Sequence, residues 1–481
     1  MIYLITVLTY LAILTGIGIY KSRQVKTQAD FAVAGRSLSP WVLVCTMLAA
    51  WIGTGSIVGN AGMTYESGLA ALILPIGSVI GMILLTRVAP RARNYEVYSV
   101  PEIIGSRYGQ VARLLAVGAL VIAYMVIVSY QFVALGAVLN AILIDKTGQP
   151  LISEEIGRII AAVAIITYTI LAGLMSLAYT DIVTGIIITV SLLVAFPILW
   201  NHAGGWSGLE TRFAEMARPE HMKFWGVFSW AEIINYTLPT FLLIMGDANQ
   251  YQRFFASKSA KGAKSAVTFM IFAVLVIESL IILEAWIASS LIPNAAVGKY
   301  VLIYAARDFM PMILGLLFMI TIVGIIISTA DSFLLIPATT LVRDIYLNHV
   351  NPKASERRKV FLSRLLVLVL GVIAYLVSLS FAQSTTVFKR AMYAYTIYGA
   401  AITPCLVAAL FWKRATGAGA ILSIAAGTIT ALTWSELQSR NILPGWAGEL
   451  DAVLPAIVLS VIALVGVSLL TGKRPQLQEN R

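Results

Sequence analysis

Runs of about twenty apolar residues recur along the whole chain, and this feature leaves few folds open. A run of that length matches the hydrocarbon core of a bilayer, where each backbone N–H and C=O must be bonded within the segment or to another buried group. Thirteen candidate spans are read, at roughly 2–20, 41–64, 68–88, 112–143, 156–174, 179–200, 228–247, 266–291, 311–340, 360–381, 391–411, 415–434 and 450–471. Hydrophobic residues make up 59% of the chain and charged residues 12%, against about 25% charged in water-facing domains. The expectation is an all-α polytopic membrane protein: one transmembrane domain over 1–481, with no soluble domain large enough to fold alone.

The first run, Ile2 to Tyr20, lacks a basic leader and a small-x-small cleavage site, and Lys21 and Arg23 follow it directly. It reads as a retained helix rather than a signal peptide. With the N-terminus outside, 24 of the 34 Lys and Arg fall in inside connections, as the positive-inside rule requires of thirteen spans ending in the cytoplasm. The net charge of +11 is then a basic cytoplasmic surface and calls for no nucleic acid. The expected location is the cell (cytoplasmic or inner) membrane, multi-pass. Cys45 and Cys405 lie in apolar runs as packing residues, and His202, His221 and His349 lie in polar connections, so no His/Cys metal cluster is visible.

The segment Ala49 to Gly62 (AAWIGTGSIVGNAG) puts four glycines and two hydroxyls inside an apolar run. Small residues permit close helix packing. They also permit unwinding, which at mid-membrane requires something polar for the freed carbonyls to face. Ionisable side chains at such depth are costly. Asp181 stands at the start of the sixth span, Asp331 in the middle of the ninth, Glu278 and Glu284 in the eighth, and Asp247 closes the seventh. No Lys or Arg is read near the centre of any span, so the acids look uncompensated, and Glu278 and Glu284 show no polar cluster beside them. Ser328, Asp331 and Ser332 share one helical face, with Thr329 beside it. Hydroxyls, a carboxylate and released carbonyls are the oxygen ligands small hard cations take; the bland alternative is hydroxyls bonding back to their own helix.

These pieces, in order, resemble the sodium:solute symporters. The matching segments are the broken run at 49–62, Ser99 to Gly109 (SVPEIIGSRYG), Ala172 to Asp181 (AGLMSLAYTD), Gly246 to Ala256 (GDANQYQRFFA), and Ser328-Thr329 upstream of Asp344 and Tyr346. The resemblance implies the LeuT-type fold. Two five-helix inverted repeats would occupy spans two to six (41–200) and seven to eleven (228–411), with one extra N-terminal helix and two extra C-terminal helices. Spans two and seven should both be broken, the latter at Pro239 with Asn235, Thr237 and Thr240 serving the freed groups. By the same resemblance the main sodium site comprises the carbonyls of Ala49, Ile52 and Ile325 and the hydroxyls of Ser328 and Thr329. A second cation site would use Asp181, Ser328, Asp331 and Ser332. Asp331 departs from the family, which has a hydroxyl there, and so does Ala172, where glycine is usual.

The function implied is sodium-coupled symport of a small organic solute into the cell by alternating access, with one or two sodium ions and no organic cofactor. The solute, an amino acid, a polyol or sugar, or a small monocarboxylate, would sit at Gly53, Thr54, Gly55 and Ser56, facing Tyr124, Tyr130, Gln131 and Tyr236. Spans two to four offer no central basic residue to clamp a strongly anionic solute. The alternative is proton coupling through Asp331 and Asp181. A membrane sensor or intramembrane enzyme is the remote reading: no nucleophile–base pair or metal cluster converges, and the few residues after the last span are expected to leave no room for a signalling domain.

Overall fold

The computed structural model describes the chain apart from residues 1–4, 8, 11, 14–15, 18–19, 21–25, 145–148, 295–297, 299, 381–385 and 473–481, and gives backbone alone at 172, 175, 176 and 446. Among the described residues every regular element is helical, and the extended pairings are two isolated bridges, Leu38 with Ser257 and Ile144 with Pro150.

The first half runs α1 (Gln28–Val33), α2 (Pro40–Trp51), a wide turn at Gly55–Asn60, α3 (Ala61–Ser67), α4 (Ile76–Arg93), α5 (Val100–Tyr108), α6 (Gln110–Ile142), α7 (Glu154–Ala203) and α8 (Gly205–Glu215). The second half runs α9 (Trp230–Gly246), α10 (Ala248–Ala256), α11 (Ala260–Leu291), α12 (Val301–Asp308), α13 (Met312–Thr340), α14 (Glu356–Ser380), α15 (Val387–Phe411), α16 (Gly417–Ser439), α17 (Gly445–Gly448) and α18 (Val453–Thr471). Polar caps set many of the starts by accepting amide hydrogens that the first turn leaves unbonded. Ser153 accepts from the Ile156 N–H, Ser229 and Glu232 form a reciprocal capping box, and Thr386 accepts from the Lys389 N–H.

Eight described helices are long and apolar enough to cross a membrane, and nine if the bent pair Pro40–Trp51 and Gly55–Ile73 counts as one span. The expected first span, 2–20, lies partly outside the described residues. The boundary expected between spans two and three moves: the bent run continues to Ile73, and α4 starts at Ile76, after Pro75. The connection expected at 175–178 is instead a break at Gly173 (φ 69°, ψ 166°) inside α7. A Cβ there would lie 2.7 Å from the Phe31 ring of α1, so both conformation and space call for glycine.

The apolar windows of α13 and α15 are each 67% buried and that of α6 61%, whereas α14 and α18 are each 28% buried. The first three form the centre. The outer helices turn Phe361, Leu365, Leu368 and Leu376 outward, the faces that lipid would cover. At one end the bundle is tied by Arg113 paired with Asp344, by Ser99 Oγ donating to Asp344 at 2.7 Å, and by Arg343 paired with Glu102 at 3.1 Å.

Candidate functional site

Helix α2 ends where its glycines begin. Ile52 still donates its N–H to Leu48 O at 2.8 Å, but its own backbone is extended (φ −71°, ψ 91°). Gly53 O takes the N–H groups of both Ser56 and Ile57 at 3.0 Å as the chain rewinds, and the two halves meet at 48°. The break lies against α13. A Cβ on Gly53 would sit 2.9 Å from both Oγ1 and Cγ2 of Thr329, and the Thr329 hydroxyl stands 3.5 Å from Ala49 O. That distance is long for an O–H···O bond. It is close to the ~3.4 Å between neighbouring oxygens in an octahedral shell of ~2.4 Å radius around a calcium-sized ion. Ile325 lies fully buried one turn before Thr329. The donor set of hydroxyls and main-chain dipoles therefore fits a small monovalent cation, and no group of three His, Cys, Asp or Glu converges among the described residues.

Asp181, on the second half of α7, closes the back of this junction. It accepts Thr46 Oγ1 from α2 and Ser328 Oγ from α13, each at 2.5 Å. It also has a basic partner. Arg253 of α10 is completely buried and reaches within 3.7 Å of the Asp181 carboxylate, and its guanidinium donates to Ser332 Oγ at 2.8 Å and to Asn249. By sequence, Arg253 falls with Lys258, Lys261 and Lys264 in the basic stretch between the seventh and eighth spans. Lys258, Lys261 and Lys264 are exposed, but Arg253 turns inward. The stripe Ser328, Asp331 and Ser332 is divided: Ser328 meets Asp181, Ser332 meets Arg253, and Asp331 faces the first half of α7, where Thr169 Oγ1 donates to it at 2.6 Å.

The second broken rod also differs from expectation. Helix α9 runs through Pro239, with Thr237 bonding back to Ile233 O at 2.6 Å, and the break comes at Asp247 (φ −57°, ψ 110°). Proline removes one donor; helices in lipid tolerate that when nearby groups serve the freed carbonyls. The break at 247 has dedicated partners. Tyr398 Oη donates to Gly246 O at 2.9 Å and accepts from the Ala248 N–H at 3.1 Å. Tyr124 Oη donates to Asp247 Oδ1 at 2.6 Å and accepts from the Asn249 N–H at 3.1 Å. Tyr124 is thereby committed to this junction and lines neither of the inner cavities described next.

Two small cavities flank the first break. One, of about 10 Å³, is bounded by Gly53, Gly55, Tyr130, Gln131, Thr329 and Tyr395 among others. Thr54 donates to Gln131 Oε1, while Gln131 Nε2 is buried without a hydrogen-bond partner. The other, of about 30 Å³, is bounded by Gly55, Ser56, Asn60, Tyr236 and Glu278, and shares Trp51, Gly55 and Tyr395 with the first. Of the expected solute contacts, Gly53, Gly55, Ser56, Tyr130, Gln131 and Tyr236 thus line cavities and Thr54 supports Gln131. Glu278 does have polar company, contrary to expectation: Ser56 Oγ donates to it at 2.6 Å and Asn60 Nδ2 at 3.1 Å. Those partners stand more than two hundred residues away in the chain, beyond any local pattern.

A sequence model of the sodium:solute symporter family matches residues 31–427. The chain belongs to that family. It is a membrane transporter and not an enzyme. The chain is 28% identical to an osmoregulated proline transporter of Bacillus subtilis, over 95% of this chain and 92% of that one. It is 25% identical to a sodium/proline symporter of Haemophilus influenzae, over 98% and 95%. In fold, this sodium:solute symporter matches a substrate-bound, outward-open Na+-coupled sialic acid symporter with a TM-score of 0.83 over 99% of both chains, at 18% identity. It also matches MhsT in complex with L-phenylalanine, at 0.55 over 89% of this chain and 97% of that one, with 13% identity. The all-helical chain thus has LeuT-type neighbours in fold, as the family resemblance implies.

Proposed function

We propose that the protein couples one sodium ion to the entry of one small amino-acid-like solute by alternating access between inverted repeats at 41–200 and 228–411. In this reading all thirteen spans are present, the N-terminus is outside, and the C-terminus is cytoplasmic. Sodium sits where the released carbonyls of Ala49 and Ile52 meet Ile325 O and the hydroxyls of Ser328 and Thr329. The observation that carries the reading is the contact of Thr329 with both Ala49 O and Gly53. An ion drawing on both rods orders the first break, and the same break walls the solute cavities, so each ligand must tighten the other by an equal factor. In this reading the end tied by the Arg113–Asp344 and Arg343–Glu102 pairs is the cytoplasmic one.

A second sodium at Asp181, Ser328, Asp331 and Ser332 has less support, because the Arg253 cation already serves Asp181 and Ser332, and Asp331 turns to Thr169. An amino acid is preferred over a sugar or a monocarboxylate because the curated relatives named above carry proline.

One observation favours proton coupling as the second reading. Asp331 is fully buried, its Oδ2 has no hydrogen-bond partner, and no cation pairs with it among the described residues. Uptake into proteoliposomes under imposed gradients separates the readings. Sodium coupling gives accumulation under a sodium gradient at equal pH; proton coupling gives it under a pH gradient without sodium, and Asp331→Asn then abolishes it.

A further inference from the structure

The 30 Å³ cavity contains one carboxylate, Glu278, and it is an unusual place for one. Glu278 is 3% exposed. None of the thirteen residues lining the cavity is Lys, Arg or His, and Glu278 makes no ion pair among the described residues. Ser56 and Asn60 give each carboxylate oxygen one hydrogen bond. An ionised carboxylate accepts about four, two at each oxygen. A buried negative charge half satisfied by neutral donors is stable only if a cation joins it, or if the group takes up a proton instead.

The other walls indicate which cation would suit. Trp51, Tyr236, Phe388 and Tyr395 all border the same space. Aromatic faces attract weakly hydrated organic cations, whereas a small alkali ion is held by a full shell of oxygens. The cavity is large enough for one ammonium group and too small for a whole amino acid. Its neighbour across Trp51, Gly55 and Tyr395 holds the unpartnered Gln131 Nε2, a donor suited to a carboxylate or carbonyl oxygen.

We infer that Glu278 is the group that selects the solute: its carboxylate, inside an aromatic wall, receives a primary or secondary ammonium. This rests on the symport reading above and narrows it to solutes bearing a basic nitrogen. Because Glu278 already holds Ser56 and Asn60 of the rewound half of the first break, the ammonium would draw on the same segment that sodium orders from the other side of Gly53.

The test is a thermal-shift titration of the purified full chain in sodium. L-amino acids are paired with their 2-hydroxy acids, and L-proline with tetrahydrofuran-2-carboxylate, which places oxygen where proline has NH2+. The expected result is at least about tenfold tighter binding of the nitrogen member of a pair, as a charge-assisted bond in a dry site gives. That preference should fall to within about twofold in Glu278→Gln and largely survive in Glu278→Asp, which keeps the charge. Sodium alone should still shift all three proteins. A wild-type protein that binds both members equally overturns the inference, as does Glu278→Gln that weakens both by one common factor. Loss of the sodium shift in the wild-type protein is a different failure, and ends the symport reading from which the inference starts.

Discussion

The hydroxyl of Thr329 stands 3.5 Å from the carbonyl oxygen of Ala49, 280 residues away in sequence. This approach joins a helix that breaks to a helix that carries hydroxyls, at a depth where either feature alone is explained by packing. Beside it, Gly53 leaves room for the Thr329 side chain where any other residue would place a Cβ.

Gly53→Ala tests the closeness of that approach. The added methyl would lie 2.9 Å from Thr329 Oγ1 and Cγ2, nearer than packed carbon atoms sit, and overpacking of this kind costs about 1–3 kcal/mol. We expect the sodium concentration for half-maximal uptake to rise at least about fivefold, as ~1 kcal/mol corresponds to. Adding Thr329→Ser, which keeps the hydroxyl and removes Cγ2, should recover part of the loss. Sodium titrations of uptake for the single and double variants check this.

Arg253 and Asp181 are expected to depend on each other. Removing one member of a buried pair leaves a charge without a partner, at a cost of about 3–5 kcal/mol. Arg253→Ala should therefore lower the melting temperature sharply or reduce expression. Arg253→Ala with Asp181→Asn should melt higher than Arg253→Ala alone, because no unpaired charge remains. Equal melting of the single and double variants would show that the 3.7 Å pair contributes nothing to folding.

Tyr398 spans the second break with one hydroxyl, donating to Gly246 O and accepting from the Ala248 N–H. Tyr398→Phe preserves the ring and leaves both backbone groups unserved, a change of about 1–3 kcal/mol for buried polar groups. Faster amide hydrogen exchange at residues 246–249, with little change in α16 and α18, is the expected signature.

Much of this arrangement can be read in the sequence because its causes are local. The apolar runs follow from bilayer thickness. The first break follows from Gly53 and Gly55. The polar helix that carries Ser328 and Thr329 is a local pattern as well. Other parts depend on contacts that no window contains. Arg253 stands five residues before Lys258, so composition assigns it to a basic loop, although the spacing of Tyr251, Phe254 and Phe255 at i, i+3 and i+4 is also the pattern of a short amphipathic helix. Pro239 draws attention as a local breaker, yet the chain breaks at Asp247 because Tyr398 and Tyr124, from distant helices, take up the freed groups there. Asp331 shares a stripe with Ser328 and Ser332, but neighbours on a helix stripe can point to different partners when three other helices crowd around it. Glu278 has no polar cluster in its own run, and only the fold brings Ser56 and Asn60 beside it.

Equilibrium binding of radiolabelled sodium to the purified protein bears most directly on the central claim, since it requires no knowledge of the solute. The account expects saturable binding to the wild-type chain and, for Thr329→Ala and Ser328→Ala, an affinity lower by about tenfold or more, the effect of losing a ligand from a small oxygen shell. Wild-type affinity in both variants would mean that the ion binds elsewhere and that the meeting of Ala49 with Thr329 is packing alone.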